Sequence, residues 1–150
     1  MKTKTYLGTL AVLGLLTLRA SAQFTVDNVL TNGLFEPYAA SADADGIIYL
    51  ADSSNHRIVR YDPDTGVAEN FAGNPGTPGA NNGPAYLASF NSPQGIVCAE
   101  IITTATNGTN VTLVREPGVV VADTGNHLIR FINAATREVR TLAGHAQIPG

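Results

Sequence analysis

The chain has 150 residues, twelve of them acidic against nine basic, with a formal net charge of −3 and a single cysteine. No basic face able to track phosphates can be built from so few scattered cations, so nucleic acid is not the expected partner. One cysteine also excludes an intrachain disulfide, and stability has to come from burial.

In chain order, residues 1–22 read as a signal peptide. Lys2 and Lys4 precede an apolar run, Tyr6 to Leu18, which ends at Arg19 and the small triplet Ala20-Ser21-Ala22. The run is shorter than the roughly twenty residues a helix needs to span a bilayer. An exported protein, periplasmic or extracellular, is therefore expected, starting at Gln23 and not held by the membrane after cleavage. The remaining basic residues are six arginines, against twelve acids. Residues 23–34 form a lead-in in which Thr25 to Thr31 reads as one lone strand.

Residues 35–73 alternate short apolar stretches with turns. Ile47 to Ala51 and Arg57 to Tyr61 are greasy enough to be buried on two faces, Asp62-Pro63-Asp64-Thr65-Gly66 is a turn, and Val67 to Phe71 mixes in charge as an outer strand can. Residues 74–92 are rich in Gly, Pro and Asn and read as a linker. Residues 93–144 repeat the first unit, interrupted by an insertion at 99–117. There Ile101 to Ala105 and Val111 to Val114 flank an Asn107-Gly108 turn, so Glu100 to Glu116 is expected to be a projecting hairpin in which Ile101 and Ile102 meet Val111, Leu113 and Val114. Residues 145–150 look like the start of another linker.

The repetition is explicit. A shift of 71 lays Ala51–Gly73 on Ala122–Gly144 with eight identities in 23 positions, among them Asp52/Asp123, Asn55/Asn126, His56/His127 and Gly73/Gly144. A shift of 56 lays Pro37 on Pro93. Units of this size that bury both faces of their middle strands must be sandwiched by like units, which is the logic of a β-propeller.

The stretches YLADSSNHRIVRYD and VVADTGNHLIRFIN, each followed by an outer strand ending in Ala-Gly, resemble the NHL repeat; the second contains Asn126-His127-Leu128 literally. The resemblance covers roughly Phe35 to Gly144. It implies an all-β fold, a propeller of four-stranded antiparallel NHL blades, with about two blades of an incomplete ring present. By the usual repeat length of about 40 to 45 residues, the mature chain cannot close the ring. The fragment is therefore expected to self-associate through uncovered blade faces or to be only loosely folded, while a longer parent is compact. A departure from strict repetition stands at Leu128, where the first copy has Arg57.

For function the resemblance implies a binding or interaction scaffold for an unknown protein, peptide or glycan. The alternative is a propeller lyase or lactonase-like hydrolase, with calcium or zinc held near the central channel of the full-length parent. No metal ligand or catalytic residue is assigned to this chain, because three histidines scattered between blades do not converge as a zinc site requires. Residues that recur in every blade serve the blade, so Asp52-x-x-Asn55-His56 and Asp123-x-x-Asn126-His127 are expected to hold their own turns through bonds to nearby amides, with His56 and His127 structural. Cys98 is expected to be a buried apolar residue. The loops after the second strand and the linker share one face of a propeller, which makes Asp52, Ser53, Ser54, Asn55, Arg57, Asp123, Thr124 and Asn126 the ligand-face candidates.

Overall fold

The computed structural model describes residues 33–146. The signal-peptide pattern, the strand expected at Thr25–Thr31 and residues 147–150 lie outside the described residues. Four strands, β1 (Pro37–Ala42), β2 (Ile48–Asp52), β3 (Arg57–Asp62) and β4 (Val67–Ala72), form an antiparallel meander in the order β1-β2-β3-β4. The second sheet contains β5 (Gly83–Pro84), β6 (Pro93–Asn107), β7 (Asn110–Asp123), β8 (Leu128–Asn133) and β9 (Glu138–Gly144), in the order β5-β9-β8-β7-β6. These are two blades of a β-propeller, β6 to β9 repeating β1 to β4.

Details of the backbone repeat as faithfully as the residues do. Pro37 pairs with Asp52 and Pro93 with Asp123, each beside a bulge. The residues before those prolines, Glu36 and Ser92, both have positive φ. A single 3₁₀ turn follows each second strand, Ser53–Asn55 and Thr124–Asn126, and ends on a left-handed histidine, His56 or His127. The glycine that closes each blade is fixed by this histidine. A Cβ on Gly73 would lie 2.8 Å from the His56 carbonyl, and one on Gly144 would collide with the His127 carbonyl.

The blades meet across one core. Tyr49, Ala51, Ile58 and Phe71 of the first blade pack with Val119, Val121, Ile132 and Val139 of the second, with Ala85, Ala88 and Phe90 of the linker wedged beside them. Tyr49 and Phe71 meet edge-on at 5.0 Å. Arg137 takes the left-handed position that Gly66 occupies in the first blade. It reaches across to Glu69 at 2.7 Å and lies over the Phe71 ring.

Three features differ from expectation. The linker is not wholly irregular, because Gly83–Pro84 adds to the free edge of β9, where unpaired backbone groups await partners. The insertion does not interrupt the blade either. It lengthens the first hairpin, with β6 and β7 running on in one ladder to Asn107↔Asn110. The turn residues are Gly108 and Thr109, and Gly108 has φ 63, as a type II′ turn requires of its first central residue. In this register Ile102, Leu113 and Val111 lie on one face and Ile101 and Val114 on the other, and the residues directly opposite Ile101 and Ile102 are Glu116 and Arg115, not the expected Val111, Leu113 and Val114. Cys98 is half-buried on β6 and not enclosed, because it stands at the margin of the inter-blade core, where its amide donates to Ser41 Oγ at 3.0 Å.

Candidate functional site

Each Asp-x-x-Asn-His turn is a clasp on the chain entering its own blade. Asp52 and Asp123 end strands buried on both faces, and both side chains are fully enclosed. Asp52 Oδ1 accepts the Phe35 amide at 2.8 Å; its Oδ2 accepts Asn55 Nδ2 at 2.9 Å and Arg57 Nε at 2.7 Å. Asp123 repeats this with the Asn91 amide at 2.7 Å, Asn126 Nδ2 at 2.8 Å and Arg130 Nη1 at 3.0 Å. The second amide hydrogen of each asparagine ties down an earlier carbonyl, Gly33 in one blade and Gly79 in the other, both at 2.6 Å. The bonds expected from Asp to the amides of its own turn are not formed. Bridging to a segment 17 or 32 residues earlier satisfies amides that would otherwise be buried without partners.

The guanidinium in the clasp was not legible as a repeat. Arg57 and Arg130 do not align under the 71-residue shift; Arg57 aligns with Leu128 and Val59 with Arg130. Positions two apart on a strand share a face, so Arg-x-Val and Leu-x-Arg both bring one cation to the same carboxylate. The pattern that could have revealed it is this exchange over two residues. In the second blade the result is deeper. Arg130 is 0% exposed and also donates to Ser89 O, Asn81 O and Asn82 Oδ1, while its plane lies over Phe90 at 5.1 Å. Its Nε has no partner among the described residues. Burial pushes the Asp123 carboxyl above its ordinary range despite Asn126, Asn91 and Arg130, and pushes the Arg130 guanidinium below its own despite Asp123.

The candidate ligand-face residues therefore divide. Asp52, Ser53, Asp123 and Asn126 are buried, and Ser54, Asn55 and Arg57 are half-buried, Ser54 donating to Glu36 and Arg57 to Gly33. Thr124 alone of the eight is exposed. His56 is spent on the neighbouring blade, its Nδ1 accepting the Ser92 amide at 3.0 Å, and Ser53 Oγ donates to the Pro93 carbonyl. His127 is exposed.

The linker does share a face with these turns. Gly76 N–H donates to Asn55 O at 2.9 Å, and Gly79 is held by Asn126, so residues 76–79 bridge the two clasps. Around this bridge, the uncharged side chains of Asn74, Thr77, Asn81, Asn82 and Thr124 are exposed, with Asn82 Oδ1 accepting from Arg130 and Thr141, and Glu36 is exposed beside Ser54. Among the described residues, no three His, Cys, Asp or Glu side chains converge as a metal site would need, and no helix is long and apolar enough to cross a membrane.

No protein-family model matches the chain. Among curated proteins it is 35% identical over 100 residues to the Arabidopsis thaliana protein SUPPRESSOR OF QUENCHING 1, chloroplastic, and 34% and 31% identical over 97 and 96 residues to NHL repeat-containing protein 2 of Bos taurus and Homo sapiens. These alignments cover about two thirds of the chain (64–67%) but only 8–11% of the relatives' own lengths. Among solved structures, auxiliary nutrient binding proteins of Bacteroides thetaiotaomicron and Bacteroides ovatus superpose with a TM-score of 0.51 over 70% of this chain and 25% of theirs, at 22% and 20% identity. At that identity the likeness speaks for the fold.

Proposed function

For a chain that belongs with the NHL-repeat proteins and folds as propeller blades, we propose a role as an exported binding scaffold whose ligand is a neutral, hydrogen-bonding molecule, a glycan or a peptide. The observation that carries this reading is the division of labour at the loop face. The buried carboxylates and guanidinium are bonded to incoming chain segments, and the imidazole of His56 to the next blade. What faces solvent beside them is Asn74, Thr77, Asn81, Asn82 and Thr124. Amides and hydroxyls held on a bridge between two rigid turns offer directional donors and acceptors, the usual means by which a binding site fixes orientation. The nutrient-binding role named for the two Bacteroides proteins agrees with such a use, as does the signal-peptide pattern with export.

The test is a panel of neutral oligosaccharides and peptides offered to the full chain. Saturable binding is expected, weakened about tenfold by Asn74→Ala with Thr77→Val, a loss on the scale of one or two net hydrogen bonds. Both residues are exposed, so melting should not move. An absence of saturable binding across the panel, or binding indifferent to this pair, overturns the reading.

A further inference from the structure

Residues 81–89 form a small closed loop that runs from the second clasp, through the bonds of Asn81 and Asn82 to Arg130, out to the edge of β9 and back. Its ends are joined twice, the Ser89 amide donating to Asn81 O at 3.2 Å and the Asn81 amide to Ser89 Oγ at 3.0 Å. Pro84 O accepts the amides of Leu87 and Ala88 at 2.8 and 2.9 Å, and Ala85 and Ala88 are buried in the core between the blades. The backbone is thus anchored on both sides of Tyr86 and Leu87, yet the side chains of these two residues are exposed. Tyr86, at 76%, is the most exposed large apolar side chain among the described residues. Its phenol makes no hydrogen bond and its ring no aromatic contact among them. A rigid loop holds this ring in water without using it for the fold.

Its surroundings are the uncharged side chains already described. The Gly73 amide donates to Ala85 O at 3.0 Å, so Asn74 and Tyr86, which directly follow these two residues, leave one junction. The Thr77 amide turns back to Asn74 O at 3.0 Å, and Asn82 belongs to the same loop as Tyr86. With Asn82 Oδ1 engaged by Arg130 and Thr141, its Nδ2 is the group that can donate outward.

Resting on the reading of this face as a binding surface, we propose that Tyr86 is the stacking platform of a carbohydrate site. A sugar ring of a neutral glycan lies flat on it while Asn74, Thr77 and Asn82 take the sugar's hydroxyls. A pyranose carries hydroxyls around its edge and C–H bonds on its faces. Its electropositive C–H groups suit the negative face of an aromatic ring, and its hydroxyls suit amides and hydroxyls that both donate and accept. A peptide fits this place less well. Extended peptides bind by adding to a sheet edge, but the edge of β9 beside the loop is taken by Gly83–Pro84. Pro75, Pro78 and Pro84 have no amide hydrogen to offer a passing strand.

Short linear oligosaccharides of neutral hexoses and uncharged peptides of similar length, titrated separately into the full chain in a calorimeter, test the assignment. The saccharide should bind, Tyr86→Ala should weaken it about tenfold, and Tyr86→Phe, which keeps the ring, should bind as the unaltered chain does. Because Tyr86 is exposed, the thermal melts should coincide. If that of Tyr86→Ala does not, Tyr86→Leu, which keeps apolar area without a ring, takes its place with the same weakening expected. Saccharide binding that survives loss of the ring but is weakened by Asn74→Ala with Thr77→Val overturns the stacking role and leaves the binding scaffold standing. Saturable binding of peptides alone has the same meaning. Equal weakening in Tyr86→Phe and Tyr86→Ala also overturns the role, because the contact would then be the phenol and not the ring face. No saturable binding of either ligand removes both readings.

Discussion

The two clasps hold the same carboxylate in the same turn, yet they differ in what surrounds the cation. At Asp52 the arginine enters from the first residue of the third strand and its side chain stays 17% exposed; at Asp123 it enters two residues later and is 0% exposed. The first ion pair keeps some contact with water. The second is sealed by the linker, which gives Arg130 three further acceptors in exchange. A solvated pair loses little when one partner is removed, whereas an enclosed pair leaves a charge that nothing compensates.

The largest difference should therefore come from Asp123→Ala against Asp52→Ala. Losing Asp123 strands a buried guanidinium and is expected to cost about 3–5 kcal/mol. Losing Asp52 leaves Arg57 able to turn to water and should cost about 1–3 kcal/mol, the range for orphaned hydrogen-bonding groups. Urea denaturation of the two variants measures both, and equal midpoints would show that the depth of the pair does not matter.

Gly73→Ala against Gly144→Ala comes next. Both glycines have positive φ and both would push a methyl group against a histidine carbonyl. Gly73 is buried between the blades with Phe90 also at its side, so its variant should lose about 1–3 kcal/mol through strain that cannot relax. Gly144 is exposed at the end of β9 and can give way, so its thermal melt should move less.

The smallest effect is electrostatic. Glu116 is held below the ordinary glutamate range, first by its hydrogen bond from Arg140. A carboxyl whose value is lowered by folding contributes stability above its unfolded value, about 4.3, and loses that contribution as the pH falls through the lower folded value. Glu116→Gln should flatten the loss of stability over that acid interval by lowering the melt slightly above it and leaving the melt below it unchanged. Melting curves across the interval read this directly, and an unaltered acid slope would show the bond to be without consequence.

Much of this was legible because a repeat writes its rules twice. Alternating apolar stretches, the turn at Asp62–Gly66 and the paired Asp-x-x-Asn-His motifs specify strands, meander and blade, since each depends on neighbours within a few residues. The candidate site was less legible. Asp52 and Asp123 look like loop residues in the sequence, but their strands carry them inside, where they bond to Phe35 and Asn91. Arg130 looks like an ordinary strand residue, and among the described residues it is the largest fully buried side chain.

The sequence by itself determined the blade: its short strands, their antiparallel meander and the turns between them, because these follow from local periodicity and turn chemistry. Only the tertiary structure decided which carboxylates are enclosed, which arginine seals which clasp, and that the linker adds a strand to β9. Those outcomes depend on segments 17 to 68 residues apart being brought into contact, and no local pattern records the path by which a chain returns to itself.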